Sequence, residues 1–191
     1  MNATDGRIKM NNVSVYMRQI CSDMDRGVLG IPVWQRKFVW KPNQVIDLFD
    51  SISHGYPIGS FLVWSGDDYW KGSIEALSDE IDRDKTPKWY ILDGRQRITA
   101  FYGCTSQNDN KESVFNLYYD LKNQTFLYPN TPLSYQLRVS DIFDTYILLG
   151  KLQRLKEEFA DDEGKIYIDR AKNLNSVLQE YSVTKIAIED C

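Results

Sequence analysis

Four apolar residues, Trp89-Tyr90-Ile91-Leu92, run without a break into Asp93-Gly94-Arg95-Gln96-Arg97-Ile98-Thr99-Ala100. A short apolar run that stops at Asp-Gly reads as a buried strand entering a tight turn. Ile98 and the Phe101/Tyr102 pair then fall on one face at helical spacing, so a helix starts directly after the glycine. The first-turn N–H groups of such a helix, together with its macrodipole, make a ready anion site. Arg95 and Arg97 sit where the dipole disfavours cations, a cost that a bound polyanion would offset. Asp93 has a plainer reading as a helix N-cap.

Other segments give the same mixed pattern. A helix is expected from Ser14, with Val15, Ile20 and Met24 on one face and Gly27 as its stop, after a loose arm. Leu29 to Val33 reads as extended, and Pro32 makes it an edge strand or a strand entering a turn. Pro42 suits a first helical turn, Val45, Leu48/Phe49 and Ile52 repeat at 3.6 residues, and Gly55 closes that helix with a left-handed cap. Phe61 to Trp64 reads as a strand, and a short strand is expected near Ile74 to Leu77. Val114 to Tyr119 and Thr125 to Tyr128 form a hairpin around Lys122-Asn123. Leu148 to Phe159 and Ile166 to Tyr181 read as helices separated by an acidic turn, Asp161 to Gly164. Val183 to Ile188 reads as a strand that opens a new section, which suggests a piece of a longer protein. The expected class is α+β, with a flexible arm over 1–13, a core over 14–130 and a mostly helical extension over 131–191.

Of the 191 residues, 42% are hydrophobic and 26% charged, which excludes wholesale disorder. No stretch approaches the ~18 apolar residues of a membrane span, and the polar N-terminus lacks a signal-peptide core. Cys21, Cys104 and Cys191 are isolated, so reduced thiols in a cytoplasmic protein are expected. A net charge of −4 rules out a histone-like binder. Residues 1–60 nevertheless carry 7 basic and 5 acidic side chains. Several of those cations lie in Trp34-Gln35-Arg36-Lys37-Phe38-Val39-Trp40-Lys41. Cations suit phosphate oxygens and aromatic faces suit bases; alternatively the aromatics pack inward while the cations reach solvent.

His54 is the single histidine. It falls at a helix end, where it reads as a dipole-compensating group or an accessory site residue. One histidine also excludes HExxH and HNH-type chemistry, which needs two. Asp67-Asp68 and Asp161-Asp162-Glu163 read as solvated turns. No Walker A loop and no GxGxxG fingerprint is present.

Three stretches in register carry a resemblance: Ile31 to Trp40, Asp50 to Ser60, and Leu92 to Thr99. Together they resemble the GmrSD-type restriction endonuclease N-terminal domain family, related to the ParB and sulfiredoxin fold. The resemblance implies a ParB/sulfiredoxin-like core that binds, and hydrolyses, a nucleoside triphosphate with Mg²⁺, GTP or CTP being favoured over ATP. In such anti-phage systems a separate nuclease domain or partner subunit cuts modified DNA. The family's DGQQR signature stands here as Asp93-Gly94-Arg95-Gln96-Arg97, with Arg95 in place of the first glutamine. Its IPxxQR box falls on Ile31 to Arg36. The implied nucleotide-binding set is Gln35, Arg36, Gly94, Arg95, Gln96, Arg97 and Thr99, and Asp93 would position the metal or the attacking water. Sulfiredoxin activity is disfavoured, because Arg95 stands where its cysteine would be. A non-catalytic DNA-binding or modification-sensing module is the alternative, with Trp34 to Lys41 facing DNA. Nuclease activity in this chain finds no supporting carboxylate constellation.

Overall fold

The computed structural model describes residues 8–65, 74–75, 87–107, 113–159 and 161–190. Its strands are β1 (Ile8–Tyr16), β2 (Leu29–Pro32), β3 (Phe61–Ser65), β4 (Ile74–Glu75), β5 (Trp89–Asp93), β6 (Tyr118–Asp120), β7 (Thr125–Leu127), β8 (Gln136–Arg138) and β9 (Ser182–Asp190). Its helices are α1 (Met17–Asp25), α2 (Pro42–Ser53), α3 (Arg95–Thr105), α4 (Val139–Phe143), α5 (Thr145–Glu158) and α6 (Asp161–Glu180). The class is α+β, as expected. The chain forms two units interleaved in sequence. One comprises Met1–Val39, Gly59–Thr99 and Ser182–Cys191, the other Trp40–Ile58 and Ala100–Tyr181.

The first unit is built on a six-stranded sheet of order β1-β9-β3-β5-β2-β4. β5 runs parallel to β2 and antiparallel to β3, while β9 runs parallel to β3 and antiparallel to β1. Met17, Ile20, Cys21 and Met24 form the buried stripe of α1, at the three- and four-residue spacing that puts them on one helix face. Burial pushes the Cys21 thiol pKa up, with the Asp25 charge adding to it, so this thiol stays protonated and inert. Ile31, Phe61, Val63, Tyr90 and Ile91 complete the core.

At two places in this unit the structure departs from the local sequence pattern. Residues 8–13 belong to a strand, not an arm, and the helix expected from Ser14 begins at Met17. Nine successive pairings with β9, Ile8 to Asp190 through Tyr16 to Ser182, hold Val13 to Tyr16 extended against their local helical pattern. The last strand does not open a new section; β9 lies inside the sheet, between β1 and β3. Of the two readings of Pro32, the strand entering a turn holds: Gln35 N–H bonds back to the Pro32 carbonyl at 3.1 Å, and β2 has neighbours on both sides, Pro32 and Ile31 pairing with β4 and Leu29 and Gly30 with β5. Asp67-Asp68 and Cys191 lie outside the described residues.

The second unit packs helices with a three-stranded sheet of order β7-β6-β8. Pro42 opens α2 as expected, and Gly55 follows its end at φ +71°. Phe49 stacks on Phe101 with centroids 5.7 Å apart, and Phe101 meets Phe143 edge-on at 5.9 Å. Tyr167, Ala171, Leu174 and Leu178 are the buried stripe of α6. From the same helix Asn175 and Gln179 donate to the carbonyls of Ile142 and Phe143, at 2.6 and 2.7 Å, satisfying the end of α4. The run Asp161 to Gly164 is not a turn. It forms the first turn of α6, where the macrodipole favours acidic residues. Asp144 caps α5 through Tyr146 N–H and Ile147 N–H, so that helix starts three residues before the expected Leu148.

Asp120 anchors the hairpin. Burial raises its pKa, but hydrogen bonds from the Gln136 side chain, Asn123 N–H, Lys122 N–H and the Asn123 side chain outweigh that, leaving the carboxyl below its usual range. A carboxylate with a depressed folded pKa stabilises fully above its unfolded value, near ~3.9, and loses that contribution as pH falls through the folded value. Asp120→Asn, which sets an amide NH₂ among these donors, is expected to lower stability by about 1–3 kcal/mol at pH 7. The difference from wild type should shrink in urea titrations below about pH 4.

Candidate functional site

Three segments converge at one end of the first unit's sheet. β2 and β5 are adjacent and parallel, so residues 33–39, which follow β2, and Gly94, which follows β5, leave the sheet on the same side. β3 is antiparallel to β5 with Leu62 opposite Asp93, which brings Gly59-Ser60, just before β3, to that end as well. In open α/β sheets this carboxyl-end position is where ligands gather.

Gly94 makes the junction with φ +97°. A Cβ there would lie 2.2 Å from Phe61 Cδ1, so only glycine fits. The first intrahelical bond of α3 runs from Ile98 N–H to Gly94 C=O at 3.0 Å.

The signature side chains do something the sequence did not reveal: each clips backbone. Arg95 is 5% exposed and its Nη1 donates to the Gln35 carbonyl at 2.6 Å. Gln96 Nε2 donates to the Lys37 carbonyl at 3.0 Å, while its Oε1 accepts from Val39 N–H at 2.9 Å. Arg97 Nη2 donates to the Ser60 carbonyl at 2.9 Å and to Asp93 Oδ2 at 3.3 Å. Its guanidinium lies over the Phe61 ring, 5.0 Å from the centroid. Gln35, in turn, donates its side-chain amide to the Ile91 carbonyl. Residues 33–39 and 59–60 are thus tied to one helix start by three consecutive side chains.

The remaining residues divide by exposure. Arg36 and Lys37 are exposed, as are Val33 and Trp34, both at 54%. The Asp93 side chain is 74% exposed and pairs with Arg97. Thr99 lies in the second turn of α3 and is buried, so it takes no part in the exposed rim. His54, in the other unit, is engaged at the end of α2: Nδ1 meets the Asp50 carbonyl at 2.8 Å, and the ring stacks on Tyr56 at 5.7 Å. No local sequence pattern marks Gly59 as a site residue. Its φ of +88° and the position of Arg97 Nη1, 2.6 Å from a hypothetical Cβ, show that the Arg97 clip depends on it. Among the described residues no group of three His, Cys, Asp or Glu side chains could hold a metal ion, and no helix is long and apolar enough to cross a membrane.

These features define an α+β protein in which three sheet-end segments are fastened to one glycine-initiated helix. The profile of the GmrSD restriction endonuclease N-terminal domain matches residues 17–191, and the chain belongs to that family. It is also similar to an uncharacterised protein of Methanocaldococcus jannaschii, 28% identical over 155 residues that cover 76% of this chain. The matched part is 25% of that relative's length, so the chain corresponds to about a quarter of the curated relative.

Proposed function

We propose that this chain is the nucleoside-triphosphate-binding, and hydrolysing, ParB-like regulatory domain of a cytoplasmic restriction system acting on modified DNA. The observation that carries this reading is the fastening of residues 33–39 and 59–60 to the start of α3. Such a rigid rim of N–H groups and exposed cations suits a small polyanion better than a long duplex. Arg36 and Lys37 would meet the phosphates, and the turn at Gly94 to Gln96 would complete the cradle. Arg95, Gln96 and Arg97 would act mainly by holding that rim. Trp34 offers an exposed ring for a base. Mg²⁺ fits only as a companion of the phosphates, since among the described residues no group of three His, Cys, Asp or Glu side chains could cage an ion; when bound, the ion would neutralise phosphate charge. Asp93 would then orient the ion or a water. GTP and CTP remain favoured over ATP, and a nuclease domain or subunit would do the cutting.

Titration of the full chain with GTP, CTP and ATP in the presence of Mg²⁺ tests this. Saturable binding of one of them with Kd below about 1 mM is expected, and Arg36→Gln should weaken it about tenfold. Absence of binding by all three overturns the reading. The exposure of Val33, Trp34 and Val39 beside Arg36 and Lys37 favours one other function, a DNA-facing module without turnover. Its mark would be nucleotide-independent DNA affinity that falls steeply with salt.

A further inference from the structure

One stripe of α5 carries Lys151, Arg154, Leu155 and Glu158, and within the second unit it lines a cavity of about 400 Å³. Leu133, Leu137, Arg138 and Tyr118 are among the other lining residues. That volume lies toward the small end of ligand pockets, roughly 300–1,000 Å³. Three cations and two carboxylates line it. Lys151 is committed to Asp141, Nζ to Oδ2 at 2.9 Å, and Glu158 accepts from the Ser134 hydroxyl. Asn116 Oδ1 fixes the Arg138 guanidinium through Nη2 at 2.6 Å, while Arg138 Nε is buried with no hydrogen-bond partner among the described residues. Arg154 is exposed and has no hydrogen bond or ion pair among the described residues.

The cavity therefore holds one positive charge in excess, with the guanidinium of the exposed Arg154 as its uncommitted cation beside leucine and tyrosine side chains. Guanidinium forks pair bidentately with planar oxyanions. A phosphate dianion exceeds the charge available and leaves the apolar wall uncovered. We propose that this cavity binds a small monocarboxylate with an aromatic or branched aliphatic body, the carboxylate on Arg154 and the body against Leu133, Leu137 and Tyr118. The site lies wholly in the second unit and does not depend on the nucleotide reading.

Calorimetric titration of the full chain with phenylacetate and 3-methylbutanoate, against phenylacetamide and inorganic phosphate, tests it. At least one acid should bind with Kd of about 1 mM or tighter, and phenylacetamide about tenfold more weakly than phenylacetate. Arg154→Gln, at an exposed position, should weaken the acid about tenfold with Tm unchanged, while Arg36→Gln should leave it unaffected. The proposal is overturned if neither acid binds, if the amide matches phenylacetate, if phosphate binds more tightly than the acids, or if Arg154→Gln changes nothing.

Discussion

Gly94→Ala is expected to remove roughly 2–6 kcal/mol of stability, a large share of the ~5–15 kcal/mol that holds a domain of this kind together. Two costs combine. At φ +97° an L-residue is strained by roughly 1–3 kcal/mol. The new methyl would also lie 2.2 Å from Cδ1 and 2.6 Å from Cε1 of Phe61, an overpacking worth about 1–3 kcal/mol. Phe61 has little room to yield, being 1% exposed and covered by the Arg97 guanidinium. Phe61→Leu separates the two costs, because its methyls can turn away from the collision while the backbone strain remains. In chemical denaturation the double variant should be more stable than the two single losses summed would allow, by about 1–2 kcal/mol. Additive losses would place the whole cost in the backbone. A Gly94→Ala protein within about 0.5 kcal/mol of wild type would show that this turn does not have the conformation described.

That junction was legible because everything that makes it is local. An apolar run, a glycine and a helical repeat lie within fourteen residues, Trp89 to Tyr102, and no distant partner changes their pattern. The α2 helix was readable for the same reason, from Pro42 at its start to Gly55 just past its end. β1 was not. Its extended state comes from β9, which the chain supplies only at residues 182–190, and local propensity is a weak prior against nine ladder pairings. At the site, residue type identified donors correctly but not their acceptors. A guanidinium meets a phosphate oxygen and a backbone carbonyl with the same N–H groups, so Arg95 and Arg97 could not be sorted into contact and support before the carbonyls of Gln35 and Ser60 were located. The α5 cavity was invisible for a related reason. Lys151, Arg154 and Glu158 look like an ordinary solvated face until β8 and residues 132–134 are brought opposite them.

Arg95→Ala is expected to cost roughly 2–4 kcal/mol, the range for losing a buried charged hydrogen bond together with its packing. Arg95 is 5% exposed and its guanidinium holds the Gln35 carbonyl at 2.6 Å, while the Gln35 side chain itself fastens to Ile91. Removing Arg95 therefore loosens residues 33–39 at the point where they leave β2. Arg95→Lys keeps the charge but loses the planar fork, and should recover less than half of the loss. Arg95→Gln, the residue that the family signature carries here, keeps a donor without a charge to bury and should come closest to wild type. Trypsin cleavage after Arg36 and Lys37 reports how firmly the segment is held, and nucleotide affinity can be read on the same three variants. A positioning role makes affinity fall in step with faster cleavage, so that Arg95→Gln nearly preserves both. A direct phosphate contact would break that link, because Arg95→Gln would then lose affinity about tenfold or more while cleavage stayed at the wild-type rate. The burial of Arg95 and its carbonyl partner favour the first pattern, which would leave Arg36 and Lys37 to meet the nucleotide proposed above.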